Sequence, residues 1–384
     1  MVSLKFFTLI VTLTLSCDLA ANERVKVENM QVKRVGGSGD LVIEVFFIID
    51  NSIYNKWMGY YDNNKDKTID MLRYHFAHLA DGVDQKYRTI DDRQHTYSIK
   101  LIGFYIADTP NKVPFIENNK INDETLNMNA ALESLLIWVK DNVKTSDNPN
   151  KIIPVFDMAV LFTSYETNNF INGIAYRGTV CSTRAAAVVK DYYIMTAVYE
   201  AYAKNNNYHT FSPCTRFNFE NHTKYLDQTG QNCMSKSNMS RKAEDTSGYL
   251  KEAMGLKYSP DFHCEMRLGK GHKFCTPGVS GHADMCREVY CFDPQTKGCA
   301  PIGPAFAGSS CGDKMWCMDK KCVQDDRAPA VTDAKNNLDP CIYGDAPNLF
   351  HESDYSYTCE EVALDKRKWC PIAKNNCCKT CKGF

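Results

Sequence analysis

Val155-Phe-Asp-Met-Ala-Val-Leu-Phe-Thr-Ser-Tyr165, then Gly173-Ile-Ala-Tyr-Arg-Gly-Thr-Val-Cys181, then Ala185-Ala-Ala-Val-Val-Lys-Asp191 form three short apolar runs in close succession. Runs of this length, rich in β-branched residues and separated by turn formers, predict strands over 156–163, 173–181 and 185–189. Ahead of them, Leu41-Val-Ile-Glu-Val-Phe-Phe-Ile-Ile49 is nearly all apolar, as expected of a strand covered on both faces. Residues 66–85 place Ile69, Leu72, Phe76, Leu79 and Val83 at three- and four-residue spacing, which predicts an amphipathic helix. A strand over 97–106 and a second helix over 125–143 follow, with Leu132, Leu135, Leu136 and Val139 on one face of that helix. Strand, helix, strand, helix, strand implies an α/β fold with a mostly parallel sheet and crossover helices.

The chain has 384 residues, room for two or three domains. Hydrophobic content of 44% and charged content of 24% are ordinary for a soluble protein. A net charge of −1 gives no reason to expect nucleic acid or an acidic membrane surface as partner. Residues 1–21 read as a signal peptide, with Lys5 as the charge and Phe6 to Leu15 as the apolar run. That run is too short to span a bilayer, and no later one reaches the necessary length, so no membrane anchor is expected. An exported, extracellular protein is therefore expected. All eighteen cysteines except Cys17 lie at or after Cys181, the pattern of a disulfide-bonded secreted chain. Asn221-His-Thr and Asn238-Met-Ser are glycosylation acceptors, expected in surface loops.

The succession from Val155 to Ser-Pro-Cys214, including Tyr193-Ile-Met195 and Phe211-Ser-Pro-Cys214, resembles the catalytic core of the reprolysin-type zinc endopeptidases, the group containing the ADAM and ADAMTS proteins. It looks closest to the secreted salivary reprolysins of blood-feeding arthropods such as ticks. The resemblance implies a metzincin-like domain over 41–234, with Gly173, Ile174, Ala175 and Tyr176 in the edge strand that receives substrate. It implies Met195 as the methionine turn. It implies a disulfide between Cys181 and Cys214, leaving Cys233 as a free thiol. Without Cys17 the cysteine count is odd, in agreement; a signal cut that retained Cys17 would make it even. Reprolysins usually carry a long propeptide whose cysteine blocks the zinc, and residues 22–40 are too short for one.

Beyond a polar linker over 235–254, Cys264, Cys275, Cys286, Cys291, Cys299, Cys311, Cys317 and Cys322 resemble the disintegrin-like cysteine-rich module of ADAMTS proteins, placed at 255–323. Gly308-Ser-Ser-Cys-Gly-Asp-Lys-Met-Trp316-Cys-Met-Asp-Lys-Lys-Cys322 carries most of that likeness. Eight cysteines can close into four internal bridges. After a second linker over 324–340, Cys341, Cys359, Cys370, Cys377, Cys378 and Cys381 form a tail over 341–384 that is similar to small PLAC or ShK-type modules. Adjacent Cys377 and Cys378 read as two ends of different bridges, since a vicinal disulfide is awkward.

Reprolysin chemistry needs zinc, held by the three histidines of H-E-x-x-H-x-x-G-x-x-H. The metal lowers the pKa of its bound water to about 7, and the glutamate acts as general base. The sequence contains no such motif. Two alignments account for this. In one, Tyr193-Ile-Met195 is the methionine turn and a single deletion has removed the zinc helix. In the other, residues 196–209 are a decayed zinc helix, with Tyr199 and Ala203 in place of two histidines, Glu200 as remnant base and His209 as remnant ligand. Either leaves fewer than the roughly three protein ligands that catalytic zinc needs. No zinc or other cofactor is therefore expected. The partners expected are extracellular proteins or peptides bound without catalysis. An active zinc endopeptidase and an unstable splice product are the alternative readings.

The remaining histidines read as structural. His75 and His78 are expected on a solvated helix flank. His263, His272 and His282 are expected at the surface of disulfide loops, and His351-Glu352 is a coincidental fragment of a zinc motif. Gly278-Val-Ser280-Gly281 lacks the flanking strand of a nucleophile elbow and reads as a loop.

Overall fold

The computed structural model describes residues 39–90, 95–144, 148–168, 173–176, 178–190, 211, 213–235, 243–275, 282–330, 343–345, 350–352, 355–374 and 376–384. The expected signal peptide, Met195, Glu200, His209, Asn238 and the 278–281 loop all lie outside the described residues. The chain divides into two compact units, Met1–Leu250 and Lys251–Phe384.

The first unit is built on β1 (Gly39–Ile49), whose residues from Leu41 onward are all buried. It is followed by α1 (Asn51–Tyr60), α2 (Lys65–Tyr87), β2 (His95–Ile106), α3 (Met128–Asn142), β3 (Met158–Thr163), β4 (Gly173–Ala175), β5 (Ala186–Lys190) and α4 (Pro213–Thr229). The sheet order is β2-β1-β3-β5-β4. All neighbours are parallel except β4, which runs antiparallel to β5. This is the α/β, mostly parallel sheet with crossover helices read from the apolar pattern, in a metzincin-like arrangement.

The alternation of side chains along β1 divides the core into two halves. Phe46 and Ile48 pack with Leu132, Leu135 and Val139 of α3. Phe47 faces the other way and meets Phe76 of α2 and Phe162 of β3, with ring centroids 6.3 and 4.8 Å away. Both faces are thus covered, which is why β1 carries no polar alternation.

Local chemistry sets the helix starts. Asp50 caps α1 by accepting from the backbone N–H of Ser52 and Ile53, both at 3.1 Å. Asn64 and Asn127 do the same for α2 and α3. The second helix begins at Met128 rather than 125 because Thr125 and Leu126 pair in parallel with Glu166 and Thr167. Helix α1 had no counterpart in the sequence reading; only Ile53, Tyr54 and Trp57 of its side face signal it.

Three expectations in this unit are corrected. Cys181 is joined to Cys233, with Cα atoms 5.3 Å apart, so it does not pair with Cys214 and Cys233 is not a free thiol. The reason is the seventeen-residue helix α4. At about 1.5 Å per residue it is roughly 25 Å long, and it separates Cys214 at its start from Cys233 beyond its end. After α4 the chain returns to the sheet, where Val42 N–H donates to Met234 O at 2.8 Å, and this brings Cys233 beside Cys181. The fourth strand is three residues long rather than nine, because the chain turns away after Ala175 and Cys181 takes a left-handed φ of 64°. Asn221 is exposed on α4, not in a loop.

The stretch expected as a polar linker is partly docked on this unit. Glu244 N–H donates to Ile102 O at 2.9 Å, and its carboxylate lies 3.1 Å from Arg73.

The second unit contains α5 (Pro260–Leu268) and two small antiparallel sheets, one of β6 (Lys273–Phe274), β7 (Val289–Phe292) and β8 (Cys299–Gly303), the other of β9 (Ser310–Gly312), β10 (Met315–Met318) and β11 (Lys321–Gln324). Four internal bridges close it, Cys264–Cys291, Cys275–Cys299, Cys286–Cys317 and Cys311–Cys322. Gly255 is required here: a Cβ at that position would sit 1.9 Å from Ser309 N. The hairpin of β12 (Phe350–Glu352) and β13 (Tyr355–Tyr357) precedes α6 (Cys359–Leu364) and α7 (Lys366–Ala373). Cys359–Cys377 and Cys370–Cys381 tie these helices to the end of the chain, and Cys378 is in a disulfide of its own. Cys377 and Cys378 therefore belong to different bridges, as read from the sequence.

Candidate peptide-binding edge and the zinc-helix region

Strand β4 is the last strand of the sheet order, with Ile174 opposite Val188 on its inner side. Gly173, Ile174, Ala175 and Tyr176 are thus brought to the sheet margin. Between them and the N-terminal turns of α3 lies an open depression of about 560 Å³, lined by Asn127, Asn129, Glu133, Asn168, Ile174 and Tyr176 among others. Its walls are mixed: the side-chain amides of Asn127, Asn129 and Asn168, the Glu133 carboxylate and the Tyr176 phenol can hydrogen-bond a polar chain, beside apolar Ala130, Leu132, Ile174 and Ala175.

Just past β4, Tyr176 OH donates to Glu133 Oε1. The Arg184 guanidinium lies over the Tyr176 ring, 4.0 Å from its centroid, and its Nη2 is 3.6 Å from Glu133 Oε1. Burial, then the hydrogen bond to Glu133, raises the phenol's pKa above its ordinary value. Glu133 and Arg184 are both more than half exposed. None of these groups supplies a nucleophile or a metal ligand set.

At the end of β5, buried Lys190 holds Glu166 at 2.6 Å. The chain then enters residues 191–210, so the candidate zinc-helix remnants Glu200 and His209, and the expected methionine turn at Met195, lie outside the described residues. Among the described residues, one group of three His, Cys, Asp or Glu residues has ligand atoms close enough to share an ion: Cys286, Cys311 and Cys322. All three sulfurs are oxidised in disulfides, so they offer no thiolate.

The histidines correct another expectation. His75 is buried, its ring 5.1 Å from that of Trp57 and 5.3 Å from Phe76. Burial, with His78 adding to it, pushes its pKa down to about 3, so the ring is neutral. The Nε2 of half-buried His78 lies 3.1 Å from Tyr249 O. His75 is not solvated, because Trp57 of α1 packs on a second flank of α2 that its own apolar stripe does not mark. His263 is also buried, stacked on Phe306 at 4.0 Å.

Sequence reasoning missed the buried acids. Glu44, the one charge in the β1 run, is buried. Its backbone N–H donates to Asp157 Oδ2 at 2.8 Å, and Lys100 Nζ lies 3.8 Å from its Oε1. Burial raises Asp157 to about 7; the hydrogen bond from Glu44 opposes this and the Glu44 charge reinforces it. Burial likewise raises Asp50 to about 6, against the donors that its capping role collects. A single acidic letter inside an apolar strand was the available signal.

Comparison with known proteins bears on both units. A family profile described as ADAMTS cysteine-rich domain 2 matches residues 254–323. "A disintegrin and metalloproteinase with thrombospondin motifs like" of Bombyx mori is 21% identical over 336 residues, covering 73% of this chain and 44% of that protein. "A disintegrin and metalloproteinase with thrombospondin motifs 1" of Mus musculus is 23% identical, covering 70% of this chain and 30% of that one. The chain is a distant homologue of the ADAMTS-type metalloproteases. It spans less than half the length of each of these relatives. The homology reaches the broad reprolysin and ADAMTS group, not a blood-feeding arthropod branch of it. Unlike the zinc-binding sequence of that group, this one has no H-E-x-x-H-x-x-G-x-x-H. No helix among the described residues is long and apolar enough to cross a membrane.

Proposed function

We propose that this protein is an exported, non-catalytic relative of the ADAMTS metalloendopeptidases that binds an extended segment of another extracellular protein along the margin of β4. The observation that carries the reading is a combination: the sheet and its edge depression are present, while the sequence lacks the histidine motif that would hold a hydrolytic zinc. A strand edge offers backbone hydrogen bonds to an incoming chain whether or not a metal stands beside it. The depression, with its three Asn amides, gives that chain a place for polar side chains next to apolar ones. Matrix or haemostatic proteins are the partner class that the family resemblance suggests. Export rests on the apolar leader at 1–21 and the cysteine content, and N-glycans at Asn221 and Asn238 belong to the same reading.

The second reading is an active zinc endopeptidase. The spacing of Glu200 and His209, which matches two positions of the zinc motif, favours it. Two measurements on the purified chain separate them. Elemental analysis is expected to find far less than one zinc per chain, and gelatin and fibrinogen are expected to stay intact with or without a chelator. Chelator-sensitive cleavage would overturn the proposal. Photo-crosslinking from residue 176 is expected to capture extended peptide from a matrix digest; capture from an exposed control position at equal yield would remove the role of the edge.

A further inference from the structure

The last nineteen residues, Lys366-Arg-Lys-Trp-Cys-Pro-Ile-Ala-Lys-Asn-Asn-Cys-Cys-Lys-Thr-Cys-Lys-Gly-Phe384, hold six basic side chains and no Asp or Glu. The chain as a whole has 45 basic and 46 acidic residues, so the rest carries a net negative charge. The near-neutral total therefore hides a segregated cationic tail. A local cluster of this density is a recognition feature, not a solubility average.

The fold fixes these charges in space. Helix α7 spans Lys366–Ala373, and Lys374 keeps helical dihedrals as its cap, with φ −54° and ψ −28°. Arg367 and Lys374 are seven residues apart and so fall within about 20° of each other on the helix. The Cys370–Cys381 bridge draws Lys379 and Lys382 toward the same helix. Arg367, Lys368, Lys374, Lys379 and Lys382 are all exposed.

Three neighbouring acids are turned to the backbone. Glu361 accepts from Thr358 N–H at 2.7 Å, Asp365 from Lys368 N–H at 3.2 Å, and Asp345 from the N–H groups of Lys379 and Thr380 at 2.7 and 2.9 Å. They serve as backbone acceptors at helix starts and turns. Cross-linking by Cys359–Cys377 and Cys370–Cys381 means that little further ordering is needed when a ligand binds.

We infer that this disulfide-bonded tail is a docking surface for a sulfated glycosaminoglycan. A linear polyanion with a sulfate every few ångströms matches fixed cations along a short helix and the loop bridged to it. Binding of this kind releases counterions and weakens steeply with salt. The disulfides favour an extracellular polyanion over nucleic acid.

The test uses the full chain, with heparin as probe, at several salt concentrations. Wild type is expected to bind heparin and to bind chemically desulfated heparin at least about tenfold more weakly. R367E/K374E/K379E is expected to lose about tenfold or more at physiological salt and to show a shallower salt dependence. The same charge change at exposed Lys86, Lys140 and Lys224 is expected to cost less than about twofold. Disulfide mapping checks that the tail is intact. The neutral variant R367Q/K374Q/K379Q repeats the measurement should reversal disturb it. Equal losses in the tail and control variants, no wild-type affinity for heparin, or tighter binding to phosphatidylserine vesicles or duplex DNA than to heparin would each overturn the inference.

Discussion

Removing the Cys181–Cys233 bridge should destabilise the first unit by an amount that its loop length sets. The bridged residues are 52 apart in sequence. For a loop of that size, the loss of loop-closure entropy from the unfolded chain corresponds to about 4 kcal/mol at 25 °C. Total stability for such a unit is only about 5–15 kcal/mol. At 2–4 °C per kcal/mol for a domain of this size, C181A/C233A should melt about 8–16 °C lower than wild type. The double variant is the right perturbation, since a single one would leave a reactive thiol beside the bridge site. Thermal melting followed by near-ultraviolet circular dichroism reads the shift, and non-reducing peptide mapping reads the pairing. A shift below about 2 °C would refute the entropic account. Mapping that joined Cys181 to Cys214, or alkylation of Cys233 without reduction, would refute the pairing itself.

Four further outcomes follow from the packing and the charges. Leu135→Ala, at a fully buried site between α3 and the sheet, should cost about 2–5 kcal/mol in denaturant unfolding. Asp50→Ala removes the α1 cap and should cost about 0.5–2 kcal/mol in the same assay. Asp157 is raised to about 7 when folded, so the native state binds its proton more tightly than the unfolded chain. Its contribution is greatest below about pH 4, is lost as pH rises through about 7, and is level above that. Melting temperature measured in chelator-containing buffer should fall across that window, and Asp157→Asn should flatten the fall; an unchanged slope would contradict the burial argument. Gly255→Ala should destabilise the second unit, because the added Cβ meets the Ser309 backbone and no flexible side chain can yield. An unchanged melting profile for that variant would show the close approach to be relaxed in solution.

The sequence by itself determined the α/β class, the buried run Leu41 to Ile49, the helices through Leu72 and Leu132, and the four-bridge closure of the second unit. It also determined the absence of the zinc motif. These are legible because helical and strand periodicities, cysteine counts and motif spacings are local and survive without coordinates. The tertiary structure alone decided what depends on separation through space. Whether Cys181 meets Cys214 or Cys233 turns on the length of α4, and a resemblance carried the wrong partner. Whether His75 is wet turns on α1, a helix that Ile53 and Trp57 announce too briefly for its packing to be inferred. How deeply Asp157 is desolvated beside Glu44 turns on β1 and β3 lying side by side, 113 residues apart in the chain. Periodicity fixes which face of an element is apolar; only the packed neighbours fix what that face meets, and desolvation and covalent pairing follow from the neighbours.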